Sequence, residues 1–207
     1  APESPEYRPA YQGSNPISDV WALEALKIVG ENFINAVNNP DDIISKSNMM
    51  LAATYAGIGF GNAGVHLPHG MSYPVSGGVK EYKPNGYYQD KPIIPHGLSV
   101  ILNAPAVFKY TYETNPERHI KVAKILGSNE NFDSIDPSEL LPKILVKIIQ
   151  NTGMPNGLSA VGYGKEDIPK LVEGTLPQHR VTKLSPKIAE KKDLKNLFLD
   201  SLVLWWN

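Results

Sequence analysis

Apolar residues along this chain recur three and four apart and almost nowhere alternate, so the pattern that announces strands is nearly missing. Val20, Leu23, Leu26, Ile28, Val29, Phe33, Ile34 and Val37 follow the capping oxygens of Ser18 and Asp19 and stop at Asn38-Asn39-Pro40, which predicts one long helix. Asp41 and Asp42 open a second helix, with their charge at the positive end of its dipole. The later part of that helix, Leu51 to Gly61, has small residues on every side and is expected to be buried and closely packed. After Pro95-His96-Gly97, Leu98 to Tyr110 is apolar nearly all round, which predicts a central helix kinked at Pro105. Residues 116–126, 136–150, 165–176 and 189–206 carry four further helical patterns, each opened by a proline, an acid or a hydroxyl. The expectation is an all-α bundle of about seven helices.

Between these elements, residues 1–16 carry Pro2, Pro5, Pro9, Pro16 and Gly13 and are expected to form an extended linker, leaving 17–207 as a helical domain. Residues 79–94, with Pro84-Asn85-Gly86 and the Tyr87-Tyr88 pair, read as a surface excursion. There is no initiator methionine, so a processed chain or a piece of something longer is expected.

With 42% hydrophobic and 20% charged residues in 207, there is apolar material for a packed core. Twenty Lys and Arg against 21 Asp and Glu removes the basic footprint of a non-specific nucleic-acid binder or a polybasic membrane-surface protein. No apolar run reaches the roughly 18 residues that spanning a bilayer needs. Small-molecule or protein partners are left. The absence of cysteine excludes disulfides, thiolate nucleophiles, zinc knuckles and iron–sulfur clusters, so any metal must sit on His nitrogen and carboxylate or carbonyl oxygen.

The histidines are His66, His69, His96, His119 and His179. His69 and His96 share one setting, a Pro before and a Gly after, which holds an imidazole at a turn in the way a metal ligand is held. A capping or hydrogen-bonded core histidine is the other reading of each. His66 is three residues from His69, but Pro68 between them argues against an uninterrupted helix. His119 is expected on a solvated helix face. Gly57-Ile-Gly-Phe-Gly-Asn-Ala-Gly superficially matches a dinucleotide fingerprint, yet no strand precedes it, and close helix packing near the metal is the reading preferred.

The run from Gly57 through Val65-His-Leu-Pro-His-Gly-Met-Ser-Tyr-Pro74, followed by Ile94-Pro-His-Gly-Leu-Ser-Val100, resembles the C-terminal half of the iron-containing alcohol dehydrogenase family. Pro9-Ala-Tyr-Gln-Gly-Ser-Asn-Pro-Ile-Ser-Asp19, Ala160-Val-Gly-Tyr163 and Gly174-Thr-Leu-Pro-Gln-His-Arg-Val-Thr-Lys-Leu184 extend the resemblance over almost the whole chain. It implies a helical domain holding one divalent metal, Fe(II) or Zn, with His69 and His96 matching two ligands. An Asp and a His four residues later should supply the others from upstream, and no Asp-x-x-x-His occurs in this sequence.

It also implies an N-terminal α/β domain that holds NAD(H), with which this domain associates, and self-association is a second possibility. Tyr73 stands where several alcohol dehydrogenases of the family have a His near the substrate. That favours the mitochondrial branch, which passes hydride between a hydroxyacid and an oxoacid: 4-hydroxybutyrate with 2-oxoglutarate, to succinate semialdehyde and 2-hydroxyglutarate. A phenol can donate a hydrogen bond to substrate oxygen or simply fill space. Both substrates carry carboxylates, for which Arg180 and Lys183 are candidates; a solvated basic turn is the alternative. An iron-dependent alcohol dehydrogenase that releases its NADH, and a helical fragment with little turnover of its own, remain open as rival expectations.

Overall fold

The computed structural model describes residues 4, 11–88, 90–127 and 134–206, and among them every regular element is helical. Most of the expected linker lies outside the described residues; Tyr11–Asn15 is non-helical. The chain divides into two compact units, residues 1–65 and 66–207.

The first unit is a hairpin of α1 (Pro16–Asn38) and α2 (Ile43–Ala63). Asn15 caps α1 by accepting from the Ser18 amide at 3.0 Å, and Pro16 fills the first position, where a missing N–H costs nothing. Asp42 caps α2 through the Ser45 amide at 2.9 Å. Hydrogen bonds from Asn35 to Ser45, Asn48 to Asn32 and Asn15 to Asn62 pair early positions of one helix with late ones of the other, so the two run antiparallel. The seam is made of small residues. Ser18, Ala25, Ser45, Ala52 and Gly59 are buried, and a Cβ on Gly59 would meet the Ala22 amide nitrogen at 3.2 Å.

The expected all-round burial of Leu51–Gly61 does not occur. Leu51, Ile58 and Phe60 are exposed, and Gly57 and Gly61 have nothing near a would-be Cβ. Small residues on every side permit close approach on any face; here only the face of Ala52 and Gly59 is used.

The second unit is built around α3 (Leu67–Gly77), whose Leu67, Met71 and Val75, four apart, are fully buried. Sequence patterning did not predict this helix, because Pro68, Gly70, Pro74 and Gly77 crowd eleven residues. Pro68 is tolerated because it stands in the first turn, with His66 at the N-cap. The central apolar helix is interrupted rather than kinked. α4 (His96–Ile101) and α5 (Ala104–Thr111) are separate because Pro105 cannot donate to Ile101, and the Asn103 side chain donates to Ser99 O at 2.7 Å.

α6 (Pro116–Leu126) and α7 (Pro137–Asn151) match their patterns, capped by Asn115 and Asp136. The 165–176 pattern opens as a 3-10 turn at Lys165–Asp167 before α8 (Ile168–Thr175), and α9 is the short His179–Thr182. α10 (Lys191–Asp200) is shorter than its pattern. Beyond it the chain is captured by the loop before residue 160: Leu158 N donates to Ser201 O at 2.9 Å and Ser159 N to Leu202 O at 3.0 Å. Asn156 Oδ1 accepts from the amides of Leu204 and Trp205, and its Nδ2 donates to Trp205 O. Gly157, at φ +73, makes that approach possible, since a Cβ there would sit 2.4 Å from Leu202 O.

Candidate metal centre

α3 and α4 bring the two Pro-flanked histidines together. The rings of His69 and His96 lie with centroids 5.2 Å apart, tilted by 57°. Two imidazoles sharing one tetrahedral metal at about 2.1 Å would have centroids roughly 5 Å apart, so the pair fits a divalent first-row metal as two of its ligands. Among the described residues no His, Asp or Glu joins them to make a third, and neither ring has a protein hydrogen-bond partner there. His69 is half-buried; burial first, and the neighbouring His96 second, lower its pKa. The neutral imidazole this favours is the form that ligates a metal.

The backbone around each histidine is held locally. Ser72 donates its hydroxyl to His69 O at 2.7 Å, and Ser99 donates to His96 O at 2.8 Å, the same serine three residues on in both helices. Tyr73, one turn after His69 on α3, shares its face and lies almost parallel to the His96 ring, 6.4 Å centroid to centroid at 24°. Its ring thus lies beside that of His96.

Arg180 and Lys183 sit on and just after α9, both exposed. α9 packs against α3 at Gly70, the residue after His69, where Thr182 and Val181 make the contact. The sequence reading placed the basic pair by its motif alone. This contact, which brings α9 beside His69, had no sequence signal beyond the glycine itself.

The remaining histidines go elsewhere. His66 stands at the N-cap position of α3 without a side-chain capping bond, packs edge-on against Phe108 at 5.9 Å, and has a buried Nδ1 with no partner among the described residues. Burial, followed by His69 and His119, lowers its pKa to about 4. His119 is not on a solvated face. It is half-buried, with Nδ1 2.8 Å from Asn115 O, Nε2 3.0 Å from Thr111 Oγ1, and Phe108 and Tyr112 against its ring. The amphipathic pattern of α6 put it on the polar side, but α5 and the turn after it fold over that side.

A separate cleft of about 520 Å³ lies at the far end of α3, lined by Gly78, Lys80, Tyr163, Asp167 and Lys170 and not by either histidine of the pair. Lys80 and Asp167 form an ion pair at 2.6 Å, and the Tyr163 hydroxyl donates to Val75 O at 2.5 Å. Burial and the nearby Asp167 push the Tyr163 pKa up to about 12, which keeps the phenol protonated as that donor.

Residues 10–202 match the model of the Fe-containing alcohol dehydrogenase family, C-terminal domain. The chain belongs to the iron-containing alcohol dehydrogenase family. Membership implies use of a divalent metal and NAD(H) in general. Within the family, a mitochondrial hydroxyacid-oxoacid transhydrogenase of Rattus norvegicus is 54% identical over 205 residues, 99% of this chain and 44% of that protein. A probable mitochondrial hydroxyacid-oxoacid transhydrogenase of Dictyostelium discoideum is also 54% identical, over 99% of this chain and 38% of its own length. An alcohol dehydrogenase from Oenococcus oeni, 25% identical, superposes with a TM-score of 0.78 over 93% of this chain and 47% of that one. The chain therefore spans less than half the length of the relatives it matches.

Proposed function

We propose that this chain is the metal-holding helical part of a mitochondrial hydroxyacid-oxoacid transhydrogenase that oxidises 4-hydroxybutyrate to succinate semialdehyde and reduces 2-oxoglutarate to 2-hydroxyglutarate. The observation that carries the reading is the 54% identity to the rat transhydrogenase across 99% of the chain. The His69–His96 pair at 5.2 Å supports it. NAD(H) is held mainly by an N-terminal domain that this chain does not include, and that domain is its principal partner.

His69 and His96 hold the metal, Fe(II) or Zn, with neutral imidazole nitrogens. When bound, the metal supplies Lewis acidity that brings the substrate hydroxyl pKa toward neutrality, and NAD(H) supplies the hydride acceptor and donor. Tyr73 donates a hydrogen bond from its phenol to the substrate oxygen, a role that its near-parallel placement beside His96 allows. Arg180 offers a two-pronged donor set to a substrate carboxylate, and Lys183 adds a point charge. Both side chains are exposed in this chain.

Steady-state assay of the full-length protein with NAD and 4-hydroxybutyrate, with and without 2-oxoglutarate, tests the reading. The expected result is 2-hydroxyglutarate formation with no net NADH release. Net NADH release without an acceptor would instead identify a dehydrogenase. Metal content falling in both His69→Ala and His96→Ala is expected in parallel, and full metal retention in both would remove the assignment of the site.

A further inference from the structure

Gly70 follows His69 and faces α9 with no space to spare. A Cβ at Gly70 would lie 2.7 Å from Thr182 Cγ2, with Val181 Cγ2 at 3.5 Å and Gln178 Cβ at 3.9 Å. Carbon atoms in contact prefer about 3.5–4.0 Å, so a side chain there comes roughly 1 Å inside contact with Thr182, whose hydroxyl is held by its bond to Gln178 O, and Thr182 must give way. One turn further along α3, the relation is repeated with the glycine on the other partner: a Cβ at Gly174 of α8 would meet Pro74 Cβ at 2.7 Å.

Positions 70 and 74 lie on one face of α3, and 174–182 is the chain that crosses them. Two side-chain hydrogen bonds brace that chain. Gln178 Nε2 donates to Gly174 O at 3.3 Å, and Thr182 Oγ1 donates to Gln178 O at 3.1 Å. With one end seated on Pro74 and the other on Gly70, a displacement at Thr182 moves the turn that bears Arg180 and Lys183 rather than being absorbed within it.

We propose that Gly70 is a positioning residue: by leaving no side chain between α3 and α9, it sets the distance from His69 to the Arg180–Lys183 turn and so the site's fit to carboxylate-bearing substrates. The inference rests on the proposed metal and carboxylate roles of His69 and Arg180. It assigns Gly70 no contact with substrate; the residue acts through α9. A displacement at a group that holds the substrate carboxylate, away from the reacting carbon, weakens ground-state and transition-state binding alike, which raises KM more than it lowers kcat.

The test is a double-variant cycle in the full-length, metal-loaded protein. Gly70→Ala should raise KM for 4-hydroxybutyrate and 2-oxoglutarate about tenfold, with kcat and metal per subunit within about twofold of the parent. Adding Thr182→Ser removes Cγ2, the atom at 2.7 Å, and keeps the hydroxyl that bonds Gln178 O, so G70A/T182S should recover most of the lost KM. Unchanged KM in Gly70→Ala beside raised KM in Arg180→Ala overturns the interlock and leaves the carboxylate reading standing. Unchanged KM in Arg180→Ala overturns that reading itself. A double variant as impaired as Gly70→Ala overturns the interlock as well. Should Gly70→Ala fail to fold, recovery of a folded protein on adding Thr182→Ser supports the contact, and persistence of the defect overturns it.

Discussion

In the α1–α2 hairpin the buried positions are Ser18, Ala25, Ser45, Ala52 and Gly59, whereas around α3 they include Leu67, Met71, Leu102, Leu158 and Phe198. The hairpin holds its two backbones close and turns its large side chains outward: Ile17, Ile43, Ile44 and Met50 are each about three-quarters exposed. The α3 unit does the reverse, with large side chains meeting in the middle. Two helical regions of one chain thus answer oppositely to a change of volume, because one is limited by steric approach and the other by cavity formation.

The largest effect is expected at Phe198, which is fully buried in the α3 core. Phe198→Ala should cost about 3–5 kcal/mol in denaturant unfolding of that unit. A cost below about 1 kcal/mol would break the contrast, since it would mean that the α3 core collapses around the gap.

Next comes acid. His66 has a folded pKa of about 4 against an ordinary 6.5, lowered first by burial and then by the neighbouring His69 and His119. The unfolded chain takes up its proton first. Stability is therefore complete above about 6.5, declines by about 3 kcal/mol as pH falls to about 4, and is flat in this respect below. No histidine lies in residues 1–65, so the decline belongs to the α3 unit. Unfolding free energy measured against pH in the parent and in His66→Gln checks it: a slope that survives the substitution refutes the assignment.

A smaller effect of opposite chemistry is expected in the hairpin. Gly59→Val forces methyl groups against Ala22 and Ser18 O and should cost about 1–3 kcal/mol by thermal or urea unfolding. The smallest change is expected at Met50, where Met50→Gln should stay within about 0.5 kcal/mol. A loss above 1 kcal/mol there would show that the outward face of α2 is packed in the assembled protein, which would sharpen the comparison into one between a free and a covered surface.

The same contrast explains what could be read from the residues alone. α6 was legible to its boundaries, because Asn115 caps it, Pro116 starts it and Gly127 ends it. α1 and α2 were legible as helices, but not in which face they bury: an apolar stripe predicts burial of Ile and Val, and the hairpin buries Ala and Gly instead. α3 was hidden by its prolines and glycines, which are breakers in isolation and become a first-turn residue and close-packing sites only when neighbours are known. His69 and His96 were legible as a pair through repeated Pro-His-Gly, and Tyr73 only through the family resemblance, as the residue standing where several relatives carry a His. The seating of the Arg180 turn beside His69 depends on a contact between residues more than a hundred apart, Gly70 and Thr182, and no local pattern carries that information.

The amide of Asn156 stands in for missing main chain. Its oxygen receives two amides and its nitrogen serves a carbonyl, so Leu204 and Trp205 are ordered by one side chain far upstream rather than by a helix of their own. Slow amide exchange at these two positions would consequently report on the integrity of the 154–159 loop, turning the tail into a built-in sensor for unfolding elsewhere in the unit.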